Sequence, residues 1–239
     1  MNKILIVLFI LVQTSYSNAQ QLSNVDFDQI SVTIVDSNST FYYPKLIDRL
    51  LRLDTSLSHQ ACKHLYYGSV FQDTYHPYGA SAKQKEFDKV YAANKSLNDI
   101  EKIGLDLLKE NPVNLAVLLK MTFLYSREGK KEQATAFAKL YVSFLEVIYA
   151  SGRGDTCENG FVVISVDDEY LITGDLGLKV VHQDLIGSCD LLTFSKRGQK
   201  LGNRIKTLYF NVRMPLTYLS KSFNTPDLPE AEPEPDENE

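Results

Sequence analysis

Residues 113–166 read VNLAVLLKMTFLYSREGKKEQATAFAKLYVSFLEVIYASGRGDTCENGFVVISV, and the hydrophobic period changes within them. Val113 to Glu128 has the pattern of a helix. After Gly129 a second helix, running to Tyr149, carries Ala134, Phe137, Ala138, Tyr141, Phe144, Leu145 and Ile148 at spacings of three and four, the repeat of one helical face. So short a turn requires the two helices to pack antiparallel. Beyond Ser151-Gly152-Arg153-Gly154-Asp155 the alternation of Val162, Ile164 and Val166 is that of a strand. Further strands are predicted over 178–186, 189–195 and 206–213. A short helix is predicted within 167–178, capped by Asp167 or Asp168, and a last one over 216–223, opened by Pro215. Helices first and strands afterwards predict an α+β fold, with N-terminal helical hairpins packed against a C-terminal antiparallel β-sheet.

Upstream, Leu97, Ile100, Ile103, Leu107 and Leu108 mark a helix ended by Asn111-Pro112, because proline disfavours helix in the residue before it. The segment 41–79 holds two shorter helical patterns. Pro44 suits a first turn ahead of Leu46, Leu50, Leu51 and Leu53, and Ser58 is placed to cap the second helix with Gly68 as its stop. Residues 20–40 read as a polar lead-in. The hairpin 113–149 resembles one tetratricopeptide unit through Thr122, Tyr125, the Gly129 turn and Ala134, although Tyr141 stands at a normally small position and Glu146 at a normally proline one. One copy is short of the roughly three needed for a free-standing solenoid.

The two ends differ from this body. Residues 1–19, MNKILIVLFILVQTSYSNA, carry Lys3, an apolar run from Ile4 to Val12, and small Ser17 and Ala19, the arrangement of a secretory signal peptide cleaved after Ala19. Nine apolar residues rise only about 14 Å as a helix, roughly half the hydrocarbon thickness of a bilayer. The mature chain is therefore expected to be exported, periplasmic or secreted, with no membrane span. The last fifteen residues, TPDLPEAEPEPDENE, hold seven acids, no base and four of the eight prolines, and residues 225–239 read as a disordered acidic tail. Between them, 20–224 carries 24 basic and 23 acidic residues and reads as a single α+β domain. A body so close to neutrality gives no electrostatic case for nucleic acid.

Chemistry-bearing residues are sparse. Cys62, Cys157 and Cys189 are the three cysteines; in an exported protein Cys157 and Cys189, both beside predicted strands, are the pair for a disulfide, and the other reading is three buried thiols. His59, Cys62 and His64 cannot converge on a metal, since His64 lies roughly 200° around a helix from Cys62, and no metal or other cofactor is expected. Aromatic residues are dense from Phe41 to Tyr78, and Tyr66, Tyr67, Tyr75 and Tyr78 suit either a packing layer or a pocket for sugars or peptides. Asp155, Glu158, Asp167, Asp168 and Glu169 supply carboxylates enough for acid–base work or calcium binding, and capping and surface positions are their more ordinary use. Gly152 and Gly154 are candidates for presenting backbone donors to an anion.

A set of stretches in order, YYPKLIDRLL, HLYYGSVFQ with YHPYG, NPVNL, SGRGDTCENGFVVISVDDEYLITGDLGL, GSCDLLTF and LYFNVRMPLTYLSKSF, spans residues 42–223. It resembles a family of exported Bacteroidetes proteins grouped as domain of unknown function 4919. The resemblance implies export and an α+β domain and brings no activity, cofactor or catalytic residue. Between the glycines of SGRGD, where the resemblance implies an acid, this chain has Arg153. The resulting expectation is a non-enzymatic binding or assembly module of the cell envelope with a protein, peptide or glycan partner. Its ligand residues would come from Tyr66, Tyr67, Tyr75, Tyr78, Glu158, Asp168 and Glu169. The alternative is a hydrolase-like enzyme with an aromatic-lined pocket and carboxylate catalysis.

Overall fold

A computed structural model describes residues 25–197, 199 and 205–224. The expected signal peptide, 1–19, and acidic tail, 225–239, lie outside the described residues. Seven helices lead: α1 Phe27–Thr33, α2 Tyr43–Leu51, α3 His59–Gly68, α4 Ala82–Ala92, α5 Leu97–Glu110, α6 Leu115–Arg127 and α7 Lys131–Tyr149, with a 3₁₀ turn, Ser69–Phe71, after α3. There follow β1 Phe161–Val162, α8 Val166–Asp175, β2 Val180–Ile186, β3 Cys189–Phe194, β4 Thr207–Asn211 and α9 Arg213–Asn224. Among the described residues no helix is long and apolar enough to cross a membrane.

The helix starts follow from side-chain oxygens that take up otherwise orphaned backbone donors. Ser58, Ser81, Ser96 and Asn114 accept from the N–H groups of Ala61, Gln84, Asp99 and Val117 respectively. Two helices stand where no helix is predicted, and both have few apolar positions. Helix α1 buries Phe27 and Ile30, and α4 buries only Phe87, so neither carries a hydrophobic stripe that its sequence announces. Phe87 is wholly buried because α5 presents Gly104 to it: a Cβ there would lie 2.9 Å from Phe87 Cε2 and 2.7 Å from Met121 Sδ.

Helix α7 is the spine of the helical half. Its buried residues Phe137, Leu140, Tyr141, Phe144, Leu145, Val147 and Ile148 cover more than one face, because α6 packs on one side and α3 on another. Phe137 stacks on Tyr125 of α6 with ring centroids 5.3 Å apart. Each fully buried ring of this kind removes enough apolar surface from water to stabilise the fold by roughly 2–3 kcal/mol.

The sheet has the order β1-β4-β3-β2. Strands β2, β3 and β4 pair antiparallel, but β1 lies parallel to β4 with Phe161 opposite Phe210. The sheet is therefore mixed, which corrects the expectation of an antiparallel one. A parallel neighbour requires a long crossover, and here α8, β2 and β3 all intervene before β4 returns beside β1. Along β3, Asp190, Leu192 and Phe194 share the inward face, and they meet Leu208 and Phe210 of β4. Helix α8 is capped by Ser165, whose hydroxyl accepts from the Asp167 N–H, so the acids predicted as caps stand inside the first turn instead.

The loop 151–160 carries α7 into β1. Gly152 is pressed so closely on the chain that a Cβ would fall 2.4 Å from the Gly160 carbonyl oxygen, and Gly154 adopts φ +70°. The N–H groups of Arg153 and Gly154 both donate to the Asn159 carbonyl at 2.8 Å, so this turn spends the donors that an anion would have used. Cys157 of this loop is joined by a disulfide to Cys189 of β3, with Cα atoms 5.7 Å apart. Cys62 is a buried free thiol whose pKa burial pushes up to about 11.

Candidate functional site

The tyrosines of α3 and the chain after it meet the acids of α8 where the helical half rests on the sheet. Consecutive residues of α3, Tyr66 and Tyr67, are both fully buried, with ring centroids 5.0 Å apart and nearly perpendicular. The Tyr67 hydroxyl donates to the Val162 carbonyl at 3.1 Å, and that of Tyr75 to the Ile164 carbonyl at 2.6 Å. The Tyr66 hydroxyl donates to Asp168 Oδ2 at 2.6 Å and accepts from the Ile164 N–H at 3.4 Å. Three phenols therefore satisfy polar groups from the end of β1 to the first turn of α8, which would otherwise be buried without partners. Burial raises the pKa of all three hydroxyls, with Asp168 adding to the rise at each.

Asp168 and Glu169 sit in the first turn of α8, where the helix dipole favours ionised carboxylates. Burial wins over that effect. Desolvation raises the Asp168 pKa to about 7 even though the Tyr66 hydrogen bond pulls it down. For Glu169 desolvation comes first, the neighbouring carboxyl of Asp190 comes next and the charge of Asp168 last, and the pKa rises to about 9. At neutral pH Glu169 thus holds a proton.

Glu169 is the irregular member of the site. Its side chain is 0% exposed, and neither carboxyl oxygen meets a hydrogen-bond donor among the described residues. The groups that act on it, Asp190 and Asp168, are acids. Asp190 accepts from Gln183 Nε2 at 2.7 Å, and Gln183 Oε1 accepts from the Tyr170 hydroxyl at 2.6 Å. This chain of bonds runs from the surface to the buried acids. Around it stand Tyr78, 38% exposed, Tyr170, 46% exposed, and Leu185, 58% exposed. Leu185 lies opposite Asp190 in the β2–β3 register. Burial, then the charges of Asp190 and Glu169, raise the pKa of both rim tyrosines.

Of the candidates named from sequence, Tyr66, Tyr67, Tyr75, Tyr78, Asp168 and Glu169 gather here, the first two as interior struts and Tyr78 at the rim. Glu158 does not: it is exposed on the loop before β1, where its own backbone N–H and the Thr156 hydroxyl hold its pKa below the usual range. Asp190, Gln183, Tyr170 and Leu185 are the members that sequence reasoning missed. A signal for one of them exists, because Asp190 stands in the same alternation phase as Leu192 and Phe194, and a charge in an inward phase needs a reason. Among the described residues no group of three or more His, Cys, Asp and Glu side chains is disposed to hold a metal ion. His64 instead stacks on Phe41 at 4.1 Å.

Replacing Tyr66 by Phe keeps the ring and removes the hydroxyl that donates to Asp168. Urea unfolding at pH 7 should give a loss of about 1–3 kcal/mol, and the Asp168 midpoint, followed by carbon NMR of the carboxyl groups, should move further up. An unchanged midpoint would show that Tyr66 does not hold this acid.

A family model described as Domain of unknown function (DUF4919) matches residues 28–221. No curated protein and no solved structure matches the chain. The chain belongs to the family of that domain.

Proposed function

We propose that this member of the family is an exported, non-enzymatic binding or assembly module of the bacterial cell envelope. In this reading residues 1–19 are removed on export, the tetratricopeptide-like pair α6 and α7 serves as scaffold, and residues 225–239 form a solubilising acidic tail. The ligand, a protein, peptide or glycan, is taken between Tyr78, Tyr170 and Leu185. The observation that supports it is the exposed aromatic and aliphatic rim around acceptors that have too few donors, Glu169 above all. Apolar rings give contact area, and a few convergent polar groups fix orientation.

A specific feature favours a second reading as a hydrolase-like enzyme. Glu169, whose pKa burial and the neighbouring Asp190 raise to about 9, lies beside a second acid, and two carboxyl groups in unlike environments are the donor–acceptor couple that acid–base hydrolysis uses. One experiment separates the two. The mature chain beginning at Gln20 is incubated with envelope glycans and with peptides, and both bound ligand and cleavage products are measured for the parent and for Tyr78→Ala/Tyr170→Ala. Binding that weakens at least about tenfold in the double variant, as loss of two aromatic contacts implies, with no product formed, supports the module. Product that disappears in Glu169→Gln supports the hydrolase. N-terminal sequencing of the exported protein should begin at Gln20.

A further inference from the structure

We propose that the floor made by Glu169 and Asp190 is a receptor for an organic cation, an ammonium or guanidinium group, held between Tyr78 and Tyr170. The inference rests on the binding reading and names the ligand class of that same site. Buried polar atoms almost always have partners, so a carboxyl that is 0% exposed and meets no donor marks the place where a donor is missing. The neighbours add acceptors: Asp190 is engaged on one oxygen by Gln183, and Asp168 is engaged by Tyr66. What the floor lacks is N–H groups and positive charge. A sugar hydroxyl brings its own lone pairs and no charge, whereas ammonium and guanidinium groups bring donors only, in bonds made stronger by the ionised acceptor. Tyr78 and Tyr170 lie near enough to Glu169 and Asp190 to feel their charge, and phenol rings beside such a floor attract a cation. Entry needs Tyr170, already nearly half exposed, to release Gln183.

Arrival of the cation removes the Glu169 proton to solvent, leaving two carboxylates against one or more N–H donors. The groups that face Glu169 are Asp168 and Tyr170 of its own helix, Asp190 of β3, and Tyr78 of the segment after α3. Each of the acids opposes its ionisation. Binding should therefore strengthen as pH rises from 6 to 9.

The same chemistry arises from a free amine or from a side chain of a peptide, and calorimetry on the mature chain tests both. The probes are N-acetyl-arginine amide, a tri-arginine peptide, and the citrulline analogue of the first, which keeps the shape and loses the charge. The expected result is saturable binding of the arginine probes, with the citrulline probe at least about tenfold weaker. About one proton should be released per ligand at pH 7, read from the dependence of the heat on buffer ionisation enthalpy. A tighter tri-arginine peptide assigns the cation to a peptide; equal affinity assigns it to a small amine. Glu169→Gln should weaken binding at least about tenfold and abolish the proton release. Absence of binding by both arginine probes, equal binding of the citrulline probe, or binding by the parent without proton release would overturn the inference. The proton count is made on the parent and survives a variant that does not fold. A parent that takes the citrulline probe or a neutral oligosaccharide through Tyr78 and Tyr170 keeps the binding reading and loses the cation; a parent that takes none of them loses both.

Discussion

Unfolding the protein in urea at pH 5 and again at pH 8 should show it several kcal/mol less stable at the higher pH. Asp168 and Glu169 have folded-state pKa values raised to about 7 and about 9, above ordinary values of 3.8 and 4.5. Through the window between those values the folded state binds more protons than the unfolded one, so stability falls as pH rises. The contribution is fully present below about pH 4 and gone once pH has passed about 7 for Asp168 and about 9 for Glu169. Each group supplies a slope of at most about 1.4 kcal/mol per pH unit while it differs between the states. Glu169→Gln keeps the shape, cannot ionise and offers an N–H to Asp190, so its curve should be shallower and its stability at pH 8 higher than that of the parent. Stability that rises from pH 5 to pH 8 would contradict the burial of these acids.

Reduction of the Cys157–Cys189 disulfide carries the second large effect. The bridge closes a loop of 32 residues, and chain entropy released to the unfolded state on opening it corresponds to about 3–4 kcal/mol. Urea midpoints of the oxidised protein, the reduced protein and Cys157→Ser/Cys189→Ser should place the last two together and well below the first. Cys62 provides an internal control, because its buried thiol with raised pKa should resist alkylation until the protein unfolds. Coincident midpoints for all three species would mean that the loop is held by its other contacts, such as the Tyr209 N–H donating to the Gly154 carbonyl.

The helices that the sequence displays are those with a continuous apolar stripe, α5 and α7 foremost. Helix α4 is hidden because a single large residue, Phe87, docks it, and the space that receives Phe87 is the absence of a side chain at Gly104 of the next helix, α5. The strand expected from Val162, Ile164 and Val166 is present but is cut to β1, Phe161–Val162, with Val166 already in α8, and what is hidden is its pairing. Its two residues have an apolar pattern, but their partner is β4, and nothing local fixes a parallel register. For the site, the density of tyrosines and the run Asp167-Asp168-Glu169 are legible as composition, while their meeting is a product of the way α3 lies over the β1–α8 connection. Glu158 and Glu169 look alike in sequence. Only the burial of one and the exposure of the other separate them.

The three phenols that support residues 162–168 also bear on the order of folding. Tyr66, Tyr67 and Tyr75 find their acceptors about ninety to a hundred positions later in the chain, at separations of 102, 95 and 89. Contacts this distant in sequence form slowly, because a long loop must close before they reward the closure. A chain delivered N-terminus first exposes helices α1 to α7, with the hydroxyls of α3 still facing water, before the segment they serve has emerged. The helical half can be assembled early from neighbouring contacts, and the docking of the β1–α8 stretch onto its tyrosines is the step that commits the sheet.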